Sequence, residues 1–341
     1  FGFQTTLAGD YDYALDGTGV DVVIQDSGIQ ADHPEFNDAA GNSRVQQINW
    51  YTASGIAGTQ SANHYRDADG HGTHVAGIAA GKTYGWAKGA RIYSQKLEGL
   101  ETLGGTDSTG IPLASSFDSI RLWHAAKAGS RPTVVNMSWG YGVDQGGNPT
   151  SGNYRGTAWT WGSTYTDRYV LAAGNTPMKA DVINGADYNN TTVFGGVTYN
   201  YHRGSSPFSE NALMVGNIDS SVQSSGGQFY DKTATSSTRG PGVNIWAPGG
   251  GVVSAASNIG DASYTTIDYP DDANFKIMNI SGTSMAAPQV AGLIALKLQS
   301  VPTKRPGPMK ADIINEAKSV VYNTSSSTDY ENLNQSLMGS E

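Results

Sequence analysis

The sequence predicts an α/β fold of three layers, in which helices cover both faces of a mostly parallel central sheet. Six short runs of apolar and β-branched residues support this, because near-continuous apolar runs are typical of strands buried in a parallel sheet. Helical patterns alternate with the runs, and such alternation places helices on both sides of the sheet. The six runs occupy residues 20–28, 91–97, 133–140, 169–175, 212–219 and 243–249.

Four helices are predicted from the spacing of apolar residues. In the second, Phe117, Ile120 and Trp123 recur at helical spacing. The third starts at Ser284 and carries no charge until Lys297, so we expect it to be central and buried. The fourth presents one apolar stripe, which predicts that it docks on the body of the protein. The helices are expected within residues 71–81, 115–129, 284–298 and 308–323, and the stripe consists of Ile313, Ile314, Ala317 and Val320.

The composition indicates a globular protein and excludes several kinds of partner and site. The 341 residues, 44 of them glycine, suit one large globular domain with many tight turns. A formal net charge of −9 argues against nucleic acid or an anionic membrane as the partner. The lack of cysteine excludes a thiol nucleophile, a disulfide and a thiolate metal site. No run reaches the roughly 18 apolar residues that a membrane-spanning helix needs.

Three glycine- and serine-rich segments show weak periodicity, and we expect them to be surface excursions from one domain. The chain begins at Phe1 without an initiator methionine or a signal-like segment. From this we expect a mature form from which a precursor segment has been removed. The three segments are residues 141–167, 176–210 and 251–276.

Reactive or polar side chains stand where four of the predicted elements begin or end. Asp26 closes the first strand, His71 opens a helix, Asn175 ends the run "VLAAGN" and Ser284 opens the last buried helix. A serine hydroxyl becomes a nucleophile when an imidazole removes its proton, and a carboxylate orients that imidazole. A side-chain amide can donate to the oxyanion that then develops. The four residues together predict acyl-transfer chemistry.

Each of these signals is weak when taken alone. Asp-Ser-Gly is usually a turn, and a serine at a helix start is by default an N-cap. His74, three residues after His71, also leaves a metal pair open, but no "HExxH" pattern and no histidine or acidic cluster accompanies the two. Their occurrence together at the ends of predicted elements favours the catalytic interpretation.

Five sequence blocks resemble the signature blocks of the subtilisin-like serine proteases, the subtilases. They are "VVIQDSGI", "DGHGTHVAGIAAG", "VVNMSWG", "AAGN" and "SGTSMAAPQVAG", and they follow the family's order from residue 20 to 298. The resemblance implies one peptidase domain over residues 1–341, with a C-terminal helix and tail at 308–341. It also implies a catalytic triad of Asp26, His71 and Ser284, with Asn175 as the oxyanion donor.

The same resemblance implies a cleft that binds peptide as an added strand. Residues 103–110 fall where the family places a second peptide-binding edge. Small walls without a buried charge predict a broad specificity that favours apolar or aromatic side chains. The first wall is expected from Ser138, Trp139 and Gly140, and the opposite wall from Ala172, Ala173 and Gly174.

The short connection after the second block is most similar to the proteinase K branch. The resemblance implies no cofactor for the chemistry and allows a structural Ca²⁺, for which Asp219 is the candidate ligand. It further implies a secreted, monomeric enzyme that acts on peptides and proteins and matures from a zymogen by loss of an N-terminal propeptide. Two departures stand out: Gln289 replaces the family's usual histidine, and Trp139 replaces a smaller aliphatic residue.

Three functions stay open at this point. The first is a serine endopeptidase that hydrolyses an acyl-enzyme with water. The second is a transpeptidase or macrocyclase that passes the acyl group to an amine. The third is an inactive relative that only binds peptide. The first two need the same triad, so the sequence does not separate them.

Overall fold

Seven parallel strands form the centre of the protein. The computed structural model describes residues 13–100, 109–140, 168–194, 196–207, 212–225 and 228–317. The strands in chain order are β1 (Asp21–Asp26), β2 (Val45–Gln46), β3 (Arg91–Lys96), β4 (Thr133–Met137), β5 (Arg168–Ala172), β6 (Thr191–Phe194), β7 (Val197–Asn200), β8 (Leu213–Ser225), β9 (Gln228–Thr233), β10 (Ile245–Pro248), β11 (Val252–Ala256), β12 (Thr266–Tyr269) and β13 (Asp272–Ile280).

The central sheet has the order β10-β8-β5-β4-β1-β3-β2, and β9 adds to β8 in antiparallel fashion. β1 lies between β3 and β4 and is parallel to both. Each of the six apolar runs overlaps one strand of this sheet, so the mostly parallel sheet is confirmed. The carboxyl ends of parallel strands share one edge, which is where functional groups of such folds collect.

Helices pack on both faces of the sheet. They are α1 (Trp50–Ser54), α2 (His71–Ala80), α3 (Leu113–Ala126), α4 (Thr283–Ser300) and α5 (Pro306–Glu316). Alternate residues of a strand point to opposite faces. Accordingly, Val22 and Ile24 of β1 pack in the core that contains α2 and α4, whereas Val23 packs with Phe117 and Trp123 of α3. The predicted three layers are therefore confirmed.

The segments expected as surface excursions contain strands that the sequence pattern did not reveal. β6 and β7 form a hairpin within 176–210, and β11, β13 and β12 form an antiparallel sheet over 252–280. Many residues of these strands are exposed, and their alternation is interrupted by polar residues. Residues 141–167 lie outside the described part of the chain.

The last described helix, α5, docks on the body as predicted. Met309 and Ile313 are buried, and Ile314 and Ala317 pack at the margin of the same core. Val320, the end of the predicted stripe, lies beyond the described residues. In the described part of the chain, no helix has both the length and the apolar character that crossing a bilayer requires. A single domain over residues 1–341 stays a prediction.

Candidate active site

Asp26 and His71 meet at the carboxyl edge of the sheet. Asp26 is the last residue of β1, and His71 is the first residue of α2. Nδ1 of His71 lies 2.8 Å from Oδ1 of Asp26, and the backbone N–H of Ser27 donates to the same oxygen at 2.8 Å. The Asp26 side chain is 2% exposed, whereas that of His71 is 21% exposed. A buried carboxylate thus orients an imidazole that remains accessible.

Two further carboxyl groups surround this pair. Asp67 is buried and accepts hydrogen bonds from the Ser27 hydroxyl and from the backbone N–H of Thr73, each at 2.8 Å. Asp69 is also buried, and it accepts a hydrogen bond of 3.0 Å from the backbone N–H of His71. The stretch "YRDADG" has the composition of a solvated acidic cluster, yet both of these carboxyl groups are buried.

The carboxyl groups control the protonation of His71. Burial opposes the charged imidazolium, but attraction to Asp26, the hydrogen bond to it and the nearby Asp69 and Asp67 outweigh burial and raise the pKa of His71 to about 9. Burial also raises the pKa of Asp69, and the charges of Asp67 and Asp26 act in the same direction. An ordinary imidazole titrates near neutral pH, and the sequence does not show how many carboxyl groups lie close to the ring.

Ser284 lies in the first turn of α4, beside the end of β4. Its hydroxyl donates to the backbone oxygen of Ser138 at 3.0 Å, and the Ser138 hydroxyl donates to the backbone oxygen of Ser284 at 2.8 Å. Pro288 has no N–H to donate to that Ser284 oxygen, so the Ser138 hydroxyl satisfies it instead. Small residues let α4 approach β4 closely enough for both bonds. We call this pair of hydrogen bonds the serine clamp.

The serine clamp sets where the Ser284 hydroxyl points. The Ser284 hydroxyl donates to Ser138 and makes no hydrogen bond to the His71 side chain; both residues lie in the described part of the chain. Catalytic hydrogen bonds are often long or misaligned in the absence of substrate and form in the complex. Rotation about the Cα–Cβ bond of Ser284 is the movement that would release the hydroxyl from Ser138.

Asn175 follows β5 and is exposed at the same edge. Its Oδ1 accepts a hydrogen bond of 2.8 Å from the Thr283 N–H and one of 3.0 Å from the Thr283 hydroxyl. The Thr283 hydroxyl in turn accepts a hydrogen bond of 3.1 Å from Gly174 N–H. Since Oδ1 is held by Thr283, Nδ2 is the other end of the amide, and it lies beside Gly282, where an added Cβ would be 3.1 Å from it. The sequence did not identify Thr283 as the residue that orients the amide.

The predicted walls of the cleft lie on two neighbouring strand ends, β4 and β5. A Cβ on Gly140 would lie 2.9 Å from the backbone oxygen of Ser205, and one on Gly174 would lie 2.6 Å from the Ser205 hydroxyl. Gly174 also has a φ of +112°, which favours glycine. Ser205 therefore lies against both walls, and sequence reasoning missed it because the long 176–204 segment hides its position. The predicted edge residues 103–108 lie outside the described residues.

Trp139 has its ring in the core instead of at the pocket wall. Its Nε1 donates to Oε1 of Gln25 at 3.1 Å, and Nε2 of Gln25 donates to Oε1 of Gln95 at 2.8 Å. The ring lies 6.3 Å from that of Phe117. Ala172 and Ala173 are likewise buried, so these three residues can border the predicted cleft only through their backbone.

His74 and the second departure, Gln289, both have structural explanations. Nε2 of His74 lies 3.1 Å from the backbone oxygen of Val252 and 3.2 Å from that of Met278, and burial lowers the pKa of His74 to about 3. A metal pair with His71 is thus not formed. Gln289 links α4 to its surroundings: it donates to the backbone oxygen of Pro248 and accepts a hydrogen bond of 3.2 Å from Nε1 of Trp86.

The surroundings of Asp219 do not favour a calcium ion. Oδ2 of Asp219 lies 4.0 Å from Nζ of Lys232, on the strand opposite. Calcium prefers six to eight oxygen ligands. Within the described ranges, no group of three or more histidine, cysteine, aspartate or glutamate side chains is placed to hold a metal. A calcium site at Asp219 stays a prediction. The nearby ammonium of Lys232 would repel a cation there.

Comparison with known proteins shows which family the sequence matches. The sequence profile of the subtilase family matches residues 17–336. A cuticle-degrading serine protease from Orbilia oligospora is 32% identical over 286 residues, which cover 84% of this chain and 51% of that protein. An extracellular serine proteinase from a Thermus species is 29% identical, over 90% of this chain and 57% of that protein. The chain thus spans about half the length of the curated relatives it matches.

Two solved structures share the fold. One is a cold-adapted subtilisin-like serine proteinase, with a TM-score of 0.55, 24% identity and coverage of 90% of this chain and 85% of that one. The other is a psychrophilic protease, with a TM-score of 0.57, 23% identity and coverage of 92% of this chain and 88% of that one. At these identities the likeness concerns the fold alone.

Proposed function

Because this chain belongs to the subtilase family, we propose that it is a serine endopeptidase that cleaves peptide bonds through an acyl-enzyme on Ser284. The observation that carries the proposal is the meeting of a carboxylate-bound imidazole, a helix-start serine and an oriented amide at one edge of the sheet. These groups can act as base, nucleophile and oxyanion donor.

The proposed reaction starts when the Ser284 hydroxyl leaves the Ser138 oxygen and turns toward Nε2 of His71. His71 removes the hydroxyl proton as Oγ attacks the peptide carbonyl, and Asp26 holds the ring through Nδ1 and stabilises the imidazolium. Nδ2 of Asn175 and the backbone N–H of Ser284 donate to the oxyanion, because the N–H groups of Thr283 and Met285 already donate to Asn175 and Gly282. His71 then protonates the leaving amine, and water hydrolyses the acyl-enzyme by the reverse sequence of proton transfers.

The proposed specificity follows from the walls of the cleft. Gly140 and Gly174 carry no side chains, and Ser205 between them is uncharged. We therefore propose acceptance of apolar and aromatic side chains before the scissile bond. Relative kcat/KM for peptides with Phe, Leu, Lys or Glu at that position tests this, and a strong preference for Lys would contradict it.

Covalent labelling tests the proposed function directly. An active-site-directed sulfonyl fluoride should modify the protein once, and peptide mapping should locate the adduct on Ser284. No labelling of the wild-type protein would identify a relative that only binds peptide. The masses of products from a linear peptide separate the two remaining chemistries, because hydrolysis adds the mass of water and ligation or cyclisation does not.

Several broader properties belong to the proposal as well. The Thermus relative is named as extracellular, which supports secretion of this protein. Removal of an N-terminal propeptide, a monomeric state and a role for calcium stay predictions from the family resemblance. Measuring thermal unfolding with and without a calcium chelator tests the last of these.

The rate should depend on pH through His71. The neutral imidazole is the base, so kcat/KM of the free enzyme should be low below the His71 pKa and rise with pH through about 9. Asp69→Asn removes a negative charge that favours the imidazolium, and should move this limb to lower pH. Asp118→Asn on α3 is the matched control and should leave the limb in place. A limb near pH 6.5 in the wild type would contradict the prediction.

Asn175→Ala should lower kcat by about 10²- to 10³-fold with little change in KM, because the amide binds charge that exists only in the transition state. This magnitude was measured on subtilisin, a member of the same family. Steady-state kinetics on one peptide substrate measure it. Asn42→Ala, at an exposed turn, should retain wild-type turnover. A change confined to KM would mean that Asn175 contributes to substrate binding instead.

A further inference from the structure

The side chain of Gln289 joins two segments that take no part in the proposed chemistry. Its Nε2 donates to the backbone oxygen of Pro248, the last residue of β10, and its Oε1 accepts a hydrogen bond of 3.2 Å from Nε1 of Trp86. An indole nitrogen can only donate, and a backbone oxygen can only accept. The two partners therefore fix the orientation of the amide, with its oxygen toward Trp86 and its nitrogen toward β10.

Trp86 is anchored between the two helices that begin at the candidate base and the candidate nucleophile. Its backbone N–H donates to the backbone oxygen of Ile78 in α2 at 3.3 Å. Its side chain lies against α4, because a Cβ added to Gly292 would lie 2.7 Å from Cβ of Trp86 and 3.3 Å from its Cγ. The indole that donates to Gln289 is thus held by both helices.

The turn after β10 supports the start of α4. The backbone oxygen of Gly249, directly after Pro248, accepts a hydrogen bond of 2.8 Å from the N–H of Gly282, the N-cap residue of α4. The fit is close, since a Cβ added to Gly249 would collide with the backbone oxygen of Gly282. The N–H of Gly251 also donates to the Ser281 hydroxyl at 2.8 Å. A displacement of Pro248 would therefore displace Gly282 as well.

Both proposed oxyanion donors border Gly282. A Cβ on Gly282 would lie 3.1 Å from Nδ2 of Asn175, and the N–H of Ser284 follows two positions later in the chain. Such donors stabilise the transition state only when they point at the place where the charge develops. A misplacement of about 1 Å can cost roughly 100-fold in rate. The position of Gly282 thus bears directly on the stabilisation of the oxyanion.

We propose that Gln289 is a positioning residue for the oxyanion site: by holding Pro248, it sets the place of Gly282 and hence of the two donors. Trp86 assists by fixing which end of the amide faces β10. Gln289 touches neither the substrate nor the reacting atoms in this scheme. A neutral imidazole also offers one donor and one acceptor, so glutamine can replace the family's usual histidine without losing either hydrogen bond. The inference rests on the proposed acyl-enzyme mechanism.

Three substitutions at this position separate the two hydrogen bonds. Gln289→Met removes both and should lower kcat for a peptide substrate about tenfold with little change in KM, because the oxyanion exists only in the transition state. Gln289→Glu keeps the acceptor for Trp86 but loses the donor to Pro248, so its kcat should fall as far. Gln289→His, assayed with the others at about pH 9, where an ordinary imidazole is neutral, should keep at least about half of the wild-type kcat.

A double-mutant cycle tests the part assigned to Trp86. Trp86→Phe removes the indole N–H and keeps an aromatic ring against α4. It should lower kcat about two- to threefold in the wild-type background and leave it unchanged in Gln289→Met, since its effect passes through the amide. Steady-state kinetics of the four proteins measure this coupling. Equal losses in both backgrounds would overturn the role given to Trp86.

Gln299→Met is the matched control, because Gln299 is another glutamine of α4 that joins the helix to a distant segment. Its Oε1 accepts hydrogen bonds from the backbone N–H groups of Asp16 and Gly17, at 2.9 and 2.8 Å, near the end of the helix that lies away from Ser284. This variant should have a lower melting temperature and an unchanged kcat. A merely structural role of Gln289 would give that same pattern in Gln289→Met.

Each result bears on either the inference or the proposed function. A kcat within about twofold of the wild type in both Gln289→Met and Gln289→Glu, or a loss confined to KM, would overturn the inference and leave the proposed function intact. If Gln289→Met does not fold, equal kcat values in Gln289→Glu and Gln289→His would overturn it. Wild-type protein that forms no acyl-enzyme with a chromogenic peptide ester would refute the proposed function itself.

Discussion

Ser284→Ala should lower the turnover of a peptide substrate by about 10⁶-fold, the loss measured for the corresponding change in subtilisin, a member of the same family. Without Oγ no acyl-enzyme forms, and only oxyanion stabilisation and binding remain to assist attack by water. The methyl group fits the site, and the Ser138 hydroxyl can still donate to the backbone oxygen of residue 284. The fold should therefore persist, which circular dichroism and thermal unfolding can check.

A matched control for this variant is Ser115→Ala. Ser115 also stands in the first turn of a helix, α3, but on the opposite face of the sheet. It should retain full turnover and sulfonyl fluoride labelling, whereas Ser284→Ala should lose both. Turnover of Ser284→Ala within tenfold of the wild type would exclude Ser284 as the nucleophile.

Asp26→Asn should lower kcat by about 10⁴-fold, by analogy with the same change in other serine proteases. The amide has the shape of the carboxylate, but it can donate to Nδ1 and so stabilise the tautomer whose proton lies on Nε2. In that state His71 cannot accept the Ser284 proton. The substitution also removes the strongest attraction that raises the His71 pKa, so the residual activity should persist to lower pH.

Asp272→Asn, at the first residue of β13, is the control for removing one carboxylate. Pre-steady-state kinetics with a chromogenic ester should show slow acylation in Asp26→Asn and a normal burst in Asp272→Asn. If Asp26→Asn acylates at the wild-type rate, the carboxylate does not orient the imidazole.

Sequence predicted the central sheet and the four candidate catalytic residues because both depend on local patterns. An apolar run identifies a strand buried on two faces, and the residue types at the ends of such runs identify the chemistry. The antiparallel sheet of β11, β12 and β13 escaped prediction because its strands are partly exposed and interrupted by polar residues. Their place in the fold comes from packing beside α2, which a local pattern does not contain.

The residues that hold the candidate catalytic side chains in place could not be predicted from the sequence either. Thr283 orients Asn175 across 108 positions of the chain, and Ser205 reaches Gly140 and Gly174 from a long loop. Asp67 and Asp69 are buried, and residues 257–264 hydrogen-bond to the backbone oxygens of both, although "DADG" has the composition of a solvent-exposed segment. These relations arise from tertiary contacts between distant segments, so only the three-dimensional arrangement shows them.

The serine clamp has a consequence for the order in which the protein becomes active. Ser138 and Ser284 are 146 positions apart, and Asp26 and His71 are 45 apart. Contacts between such distant positions form late in folding, because the intervening chain must first be ordered. A chain that emerges from the ribosome with its N-terminus first therefore carries Asp26, His71 and Asn175 long before it has a positioned nucleophile. Synthesis itself therefore delays activity until residue 284 has been added and the serine clamp has formed.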